Sequence, residues 1–320
     1  TWRYVERPIR ESRPAPRLVS VLAASVLVTG AVGFAIYRAD GLDFRFRRER
    51  RIVAALSNYD YFSGTTERAK WGPESCFILD APADAFEKRG CATVRHPDRP
   101  LAMLIGDSHM AYLSVALKPT LEARGFEVLM LTSSFCPVLR EEAVDERCAG
   151  INRFLRTRVS ALTPSVLVVF GNHVWYTSES EGLKTHYGRD LAGFVRQVQG
   201  SGIGRAIVIG QMPLWQRALP SLLARSALRN SGSIPARSFN GVSHQSLDID
   251  ATLGSEDFGP RASYFSLRNL LCNSDGCMTM VGPDPEKDLI VYDYGHLTAS
   301  GARYVTERLL PAILVRPRRR

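Results

Sequence analysis

The chain has 320 residues, of which 45% are hydrophobic and 23% charged, a balance that excludes disordered, collagen-like and coiled-coil classes. Its net charge of +9 sits at the ends: residues 1–51 hold eleven arginines against five acids, and the last five residues add four arginines. Between them, residues 52–315 carry 26 basic and 27 acidic residues, so the body lacks the basic face that a nucleic-acid partner requires.

Residues 18–37 read LVSVLAASVLVTGAVGFAIY, twenty residues without a charge. A helix of that length rises about 30 Å, the thickness of a hydrocarbon core, and glycines such as Gly30 and Gly33 are tolerated there. A buried soluble helix is the alternative, but such helices are rarely apolar on every face. A cleaved signal peptide usually ends its shorter apolar region in small residues, whereas Phe34, Ile36 and Tyr37 close this one. The stretch predicts a transmembrane helix over 17–38. Five arginines precede it and six follow closely, so the positive-inside rule leaves its orientation open. Residues 39–75 predict a linker packing on the domain after it, with an interfacial helix over 45–56, and 316–320 form a basic tail.

Six cysteines fall into three local pairs, Cys76 with Cys91, Cys136 with Cys148 and Cys272 with Cys277. An even count in short loops points to disulfides and an oxidising compartment, although pairing is not fixed by sequence and buried free thiols are the alternative. None of the spacings supplies the knuckles and histidine partners of a zinc site, and no metal is expected.

From residue 100 the chain alternates apolar runs with amphipathic ones. Strands are predicted over 101–105, 126–131, 165–170 and 205–209, with a last short one over 289–292. Helices are predicted over 110–124, stopping at Gly125, over 152–162, ending before Pro164, and over 189–200 and 299–310. Such alternation implies an α/β fold, a three-layer doubly wound parallel sheet covered by helices on both faces. Residues 211–287 break the rhythm and read as an insertion covering the carboxyl edge of the sheet, where such folds bind ligands.

Three spots on that edge carry chemistry. Gly106-Asp107-Ser108-His109 follows the first strand and opens a helix, whose N-terminus and Ser108 backbone N–H favour negative charge beside the Ser108 hydroxyl. Gly171-Asn172-His173 follows the third strand, where the Asn172 amide can donate to the same oxyanion. Asp293-Tyr294-Gly295-His296 places a carboxylate three residues before an imidazole. The acid can fix the tautomer and leave the other ring nitrogen as base, which a serine hydroxyl needs before it can attack. Singly, each spot also reads as a turn, a cap or a structural histidine.

In order and placement together, Gly-Asp-Ser, the Asn172 that follows the third strand and Asp-x-x-His resemble the SGNH (GDSL-like) hydrolase superfamily, with a flavodoxin-like fold. The resemblance implies Ser108 as nucleophile, His296 as general base, Asp293 as its orienting acid, and Asn172 with the Ser108 N–H as oxyanion donors. His109 after the serine, Cys136-Pro137, the late cysteine pair and the opening Tyr4-Val5-Glu6-Arg7-Pro8-Ile9-Arg10 narrow it to the SGNH domains fused to acyltransferase-3 membrane proteins. Residues 1–16 would then close the cytoplasmic end of the acyltransferase-3 region, and 76–315 would be the SGNH domain. There are two departures. Where the superfamily carries a glycine oxyanion donor after the second strand, this chain has Thr132-Ser133-Ser134-Phe135, leaving Ser133 or Ser134 to serve. The ten-helix membrane domain is absent, so the chain is expected to be the C-terminal part of a longer protein or half of a split pair.

The resemblance implies O-acylation, chiefly O-acetylation, of a cell-envelope polysaccharide or lipopolysaccharide through a Ser108 acyl-enzyme. The domain would bind no cofactor, and acetyl-CoA would be the upstream acyl donor through the acyltransferase-3 partner. It would face the periplasm from the bacterial inner membrane on a single pass. His109, His173 and Trp175 are candidates for lining the substrate pocket, and Trp215, Tyr264 and Phe265 for stacking sugars, with core packing the alternative. An anchored carbohydrate esterase, with water as acceptor, and a non-catalytic glycan-binding domain are the competing functions.

Overall fold

The computed structural model describes residues 2–7, 16–38, 50–57, 76–138, 145–177, 187–230 and 232–314. The greater part of the expected linker, 39–49 and 58–75, and the basic tail 316–320 lie outside the described residues. The chain divides into two units, residues 1–51 and 52–320.

The first unit holds a π-helical turn, Trp2–Glu6, and helix α1 (Pro16–Arg38). Within α1, Val19–Arg38 is long and apolar enough to cross a membrane, and Val26, Leu27 and Phe34 are exposed. Apolar side chains bared in such number are unstable in water and favourable in lipid.

Helix α2 (Arg50–Ser57) leads into the second unit, where Leu56 is buried in the main core. The chain continues through β1 (Phe77–Ile78), α3 (Ala85–Lys88), β2 (Leu101–Gly106), α4 (Ser108–Glu122) and β3 (Glu127–Ser133). There follow α5 (Glu146–Leu162), β4 (Val166–Phe170), α6 (His173–Thr177), α7 (Tyr187–Gly200), β5 (Arg205–Ile209) and α8 (Leu219–Arg229). The last elements are β6 (Arg237–Ser238), α9 (His244–Gly254), β7 (Ala262–Phe265), α10 (Leu267–Leu271), β8 (Cys272–Asn273), β9 (Gly276–Met278) and α11 (Ala299–Leu314).

Six strands form a wholly parallel sheet in the order β1-β3-β2-β4-β5-β7. Its strands are apolar on both faces because both faces are covered. Ala102, Leu104, Val168, Phe170, Ile207 and Ile209 join one core with Leu113 and Leu117 of α4 and Val305 and Leu309 of α11. Met103, Ile105, Leu167, Val169, Ala206 and Val208 join the other with Ile151 and Leu155 of α5 and Leu191 and Val195 of α7. The helix after β2 therefore lies on one face and the helices after β3 and β4 on the other. That reversal opens a crevice at the carboxyl end of β2, the position where doubly wound sheets bind ligands.

Two expectations are corrected. Residues 289–292 are no strand of this sheet. Leu289 and Val291 make isolated antiparallel bridges to Met280 and Leu297, and the run is apolar because it is core rather than because it pairs. Conversely, 211–287 is more than an insertion, since its residues Ala262–Phe265 supply edge strand β7. That strand is only half-buried, so it lacks the continuous apolar run that marks the inner strands. The rest of the segment includes a small antiparallel sheet, β6-β9-β8. Disulfides join Cys76 to Cys91, Cys136 to Cys148 and Cys272 to Cys277, the last closing the β8–β9 turn.

At the end of β2, Gly106 has φ +149°, and a Cβ there would stand 1.8 Å from the carbonyl oxygen of Phe170 on β4. The two strands approach so closely that only glycine fits. Gly106→Ala is expected to cost about 3 kcal/mol through overpacking and backbone strain. At this chain size that lowers the thermal unfolding midpoint by roughly 6–10 °C in a scan of the detergent-solubilised protein.

Candidate active site

Ser108 is the first residue of α4, delivered to the crevice by the β2 turn. Its Oγ lies 2.8 Å from His296 Nε2, bridging 188 residues of sequence. His296 Nδ1 lies 2.7 Å from Asp293 Oδ2, while the other oxygen, Oδ1, accepts the backbone N–H groups of Gly295 and His296 at 2.9 and 2.8 Å. With the carboxylate so held, the Nδ1 proton points at Asp293, and Nε2 is left to accept the serine proton. Alcohol, imidazole and carboxylate thus stand in series.

The turn carrying His296 is clamped by the segment before α8. Trp215 N–H donates to the Tyr294 carbonyl at 2.8 Å, and Leu219 N–H donates to that of Asp293 at 3.0 Å. Aromatic rings pack around the imidazole: His109 at 4.7 Å between ring centroids, Tyr112 at 4.9 Å, Tyr294 at 5.3 Å and Tyr292 at 5.9 Å. They restrict its rotation and limit access of water to one side.

Asp107 caps α4 and is buried. Its Oδ1 accepts the N–H of His109 at 2.8 Å, and its Oδ2 accepts the N–H of Asn172 and the hydroxyl of Tyr176, both at 2.7 Å. Burial raises its pKa, and these donors, with the nearby His296, pull it back towards the ordinary range. Sequence reasoning gave Asp107 only a capping role. The carboxylate also ties the β2 turn to the β4 turn through the backbone N–H of Asn172. Gly171 leaves room for it, since a Cβ there would stand 3.1 Å from Asp107 Oδ2.

Asn172 Oδ1 faces the N–H of Trp175 at 3.4 Å, and its side chain also hydrogen-bonds the Tyr294 phenol. Burial and the carboxylates of Asp293 and Asp107 push that phenol up to about 12, so it stays protonated. With the amide oxygen engaged by Trp175, it is the NH₂ group that donates to the phenol.

The remaining candidates divide. His109 is buried against His296 and Phe170; burial, with His296 and His173 nearby, holds its pKa well below the ordinary value, so it stands as a neutral wall of the site. His173 is structural: Nδ1 bonds the Tyr187 hydroxyl at 2.7 Å and Nε2 the Ile209 carbonyl at 2.9 Å, leaving neither nitrogen for a substrate. Trp215 is 3% exposed and belongs to the core, so it offers no face to a sugar. Phe265 packs against the same core, and the Tyr264 hydroxyl is spent on Asp250. Ser133 is buried at the end of β3, and the Ser134 N–H is taken by the Ile78 carbonyl at 2.7 Å, so that amide does not replace the missing glycine. Of His109, His173, Trp175 and Trp215, Trp175 alone is half-exposed. Tyr112, one helical turn after Ser108, was missed although the i, i+4 spacing marks it. Among the described residues no cluster of His, Cys, Asp and Glu has the arrangement to hold a metal ion.

A serine heading the helix after a central parallel strand, with an acid and an imidazole on the loop before the last helix, defines an enzyme of the acyl-transfer or ester-hydrolysis class. The chain belongs to the family of SGNH domains fused to AT3 domains, which it matches over residues 75–311. Among solved structures it is similar to the periplasmic domain of a lipopolysaccharide acetyltransferase from Salmonella ser. Paratyphi A. That match has 19% identity and a TM-score of 0.65, and covers 80% of this chain and 99% of that one. A GDSL-like lipase from Bacteroides thetaiotaomicron aligns at 11% identity over 72% of this chain and 96% of its own, with a TM-score of 0.46. No protein of curated function matches in sequence.

The His173 environment sets an acid limit on stability. Burial lowers its pKa from 6.5 to about 4, against a raising by the Ile209 carbonyl. Between those values the unfolded chain binds the proton and the folded one does not, so stability present above pH 6.5 is lost as pH falls towards 4. The loss from this group is about 3 kcal/mol, and His109 acts in the same direction. Unfolding midpoints measured from pH 8 to 4 are expected to fall steeply below 6.5, and His173→Gln is expected to flatten that slope.

Proposed function

We propose that this protein is an O-acyltransferase, acting chiefly as an O-acetyltransferase, that moves an acyl group onto a hydroxyl of a cell-envelope polysaccharide or lipopolysaccharide. The observation that carries the reading is the unbroken contact from Ser108 through His296 to Asp293, at 2.8 and 2.7 Å. Ser108 Oγ attacks the acyl carbonyl carbon while His296 Nε2 takes its proton. The resulting imidazolium is stabilised by Asp293, and its proton passes to the departing donor group. The oxyanion is held by the Ser108 N–H at the helix N-terminus and by Asn172. A glycan hydroxyl then attacks the acyl-enzyme, giving its proton to His296, and Ser108 leaves with that proton restored.

Family membership supports supply of the acyl group by an acyltransferase-3 membrane partner, with acetyl-CoA as the upstream donor; the domain's own residues bind no cofactor in this scheme. The lipopolysaccharide acetyltransferase among its structural neighbours supports a glycan acceptor. We assign the domain to the periplasm, anchored in the bacterial inner membrane by α1. Three disulfides of an oxidising compartment and the helix itself support this.

The test is the acetate content of envelope glycan from cells carrying each variant, alongside turnover of p-nitrophenyl acetate by the purified chain. Ser108→Ala is expected to abolish both. Asn172→Ala is expected to lower kcat by about a hundredfold or more, as loss of one oxyanion donor does elsewhere. Acetate released to water with no transfer to glycan would make the protein an esterase, and unchanged glycan acetate in Ser108→Ala would end the catalytic reading.

A further inference from the structure

The loop after β3 and the short helix α6 after β4 carry two large aromatic rings that are largely exposed. Phe135 is 62% exposed and Trp175 50% exposed, and their ring centroids stand 5.4 Å apart at an interplanar angle of 47°. In the sheet, β3 and β4 flank β2 on either side. Neighbouring strands are about 4.8 Å apart, so rings from β3 and β4 that touch must reach across the end of β2. That end carries Ser108, and Trp175 lies three residues from Asn172 in the same turn, its N–H facing the Asn172 side chain.

The pair is held rather than draped. The Ser134 N–H is bound by Ile78 O at 2.7 Å, Arg147 Nη2 donates to Ser134 O at 2.7 Å, and Cys136 is joined to Cys148. Phe135 itself has φ +54°, a left-handed conformation that costs a residue with a Cβ about 1 kcal/mol. Glycine would take it freely, and a phenyl ring turned to solvent returns no burial in exchange. Strain kept for the sake of an exposed ring points to something the ring contacts.

We propose that Phe135 and Trp175 form the acceptor subsite, a two-ring platform on which a pyranose ring of the glycan stacks while its hydroxyl reaches the acyl group on Ser108. The occupant follows from shape and charge. An aromatic face is electron-rich, and one face of a pyranose is a patch of weakly positive C–H groups ringed by hydroxyls. Two rings at 47° form a shallow notch that grips such a ring and leaves its edge in water. The rigid loop means little ordering is lost on binding. The proposal rests on the glycan-acceptor reading above, and it assigns to Phe135 and Trp175 the place that Trp215 was expected to fill.

The test is retention of the full chain, in detergent, on immobilised polysaccharide purified from the envelope of its native host. Wild type and Ser108→Ala are expected to be retained alike, because the Ser108 hydroxyl is no part of the stacking surface. Trp175→Ala and Phe135→Gly are expected to lose about tenfold in retention, while Trp175→Phe and Phe135→Tyr keep it. Phe135→Gly also serves as the folding control, since it relieves the backbone strain and is expected to unfold no earlier than wild type. Equal retention of Trp175→Ala or Phe135→Gly, or no retention of wild type, overturns the platform. So does retention that excess soluble polysaccharide fails to displace but added detergent does, which marks an apolar partner. Retention that depends on both rings, combined with unchanged glycan acetate in Ser108→Ala, would keep the platform and remove the transferase.

Discussion

One buried carboxylate organises the site. Asp107 stands at the joint between β2 and α4, and its two oxygens receive three hydrogen bonds, from the first turn of α4, the turn after β4 and a side chain of α6. A carboxylate in so apolar a place is costly unless fully partnered, and the partners here are the segments that must converge. The N–H of His109 fixes the first turn of α4 and hence the direction of the Ser108 hydroxyl. The N–H of Asn172 fixes the β4 turn and hence the side-chain amide. Charge burial and loop geometry are the same fact seen from two sides.

Around that joint the site is layered by polarity. Asp293, His296 and Ser108 form a chain of short hydrogen bonds, enclosed by the rings of His109, Tyr112, Tyr292 and Tyr294. Two further histidine and tyrosine pairings support it from beneath. His173 and Tyr187 satisfy each other against the end of β5, and Tyr176 reaches Asp107. Burial has moved the titration of His109, His173, Tyr176 and Tyr187 away from pH 7, so these four stand neutral there beside the Asp107 carboxylate.

How legible this was depended on range. The meeting of Ser108, His296 and Asp293 was legible because each sits at a strand end or turn where sequence pattern and chemistry coincide. The inner strands 101–106, 127–133, 166–170 and 205–209 were readable because burial on both faces writes an unbroken apolar run. Strand Ala262–Phe265 was not, because an edge strand is half-covered and its pattern dissolves. Residues 289–292 misled for the opposite reason: their apolar run reports complete burial, which a packed loop writes as well as a strand does. Aromatic side chains were the least readable. Trp215 and Trp175 differ little in local context, yet one is sealed in the core and the other stands in the open, and only the meeting of distant elements decides which.

The Ser108–His296 contact joins residues 188 positions apart, and the second of them lies just before α11. The serine belongs to an early element of the fold and the imidazole to a late one. Docking of α11 beside α4 is therefore the event that brings the imidazole to the hydroxyl, a contact of long range in sequence. Until those two helices pack, residues 108 and 296 are joined only by the chain between them, and the hydroxyl stands without its ring.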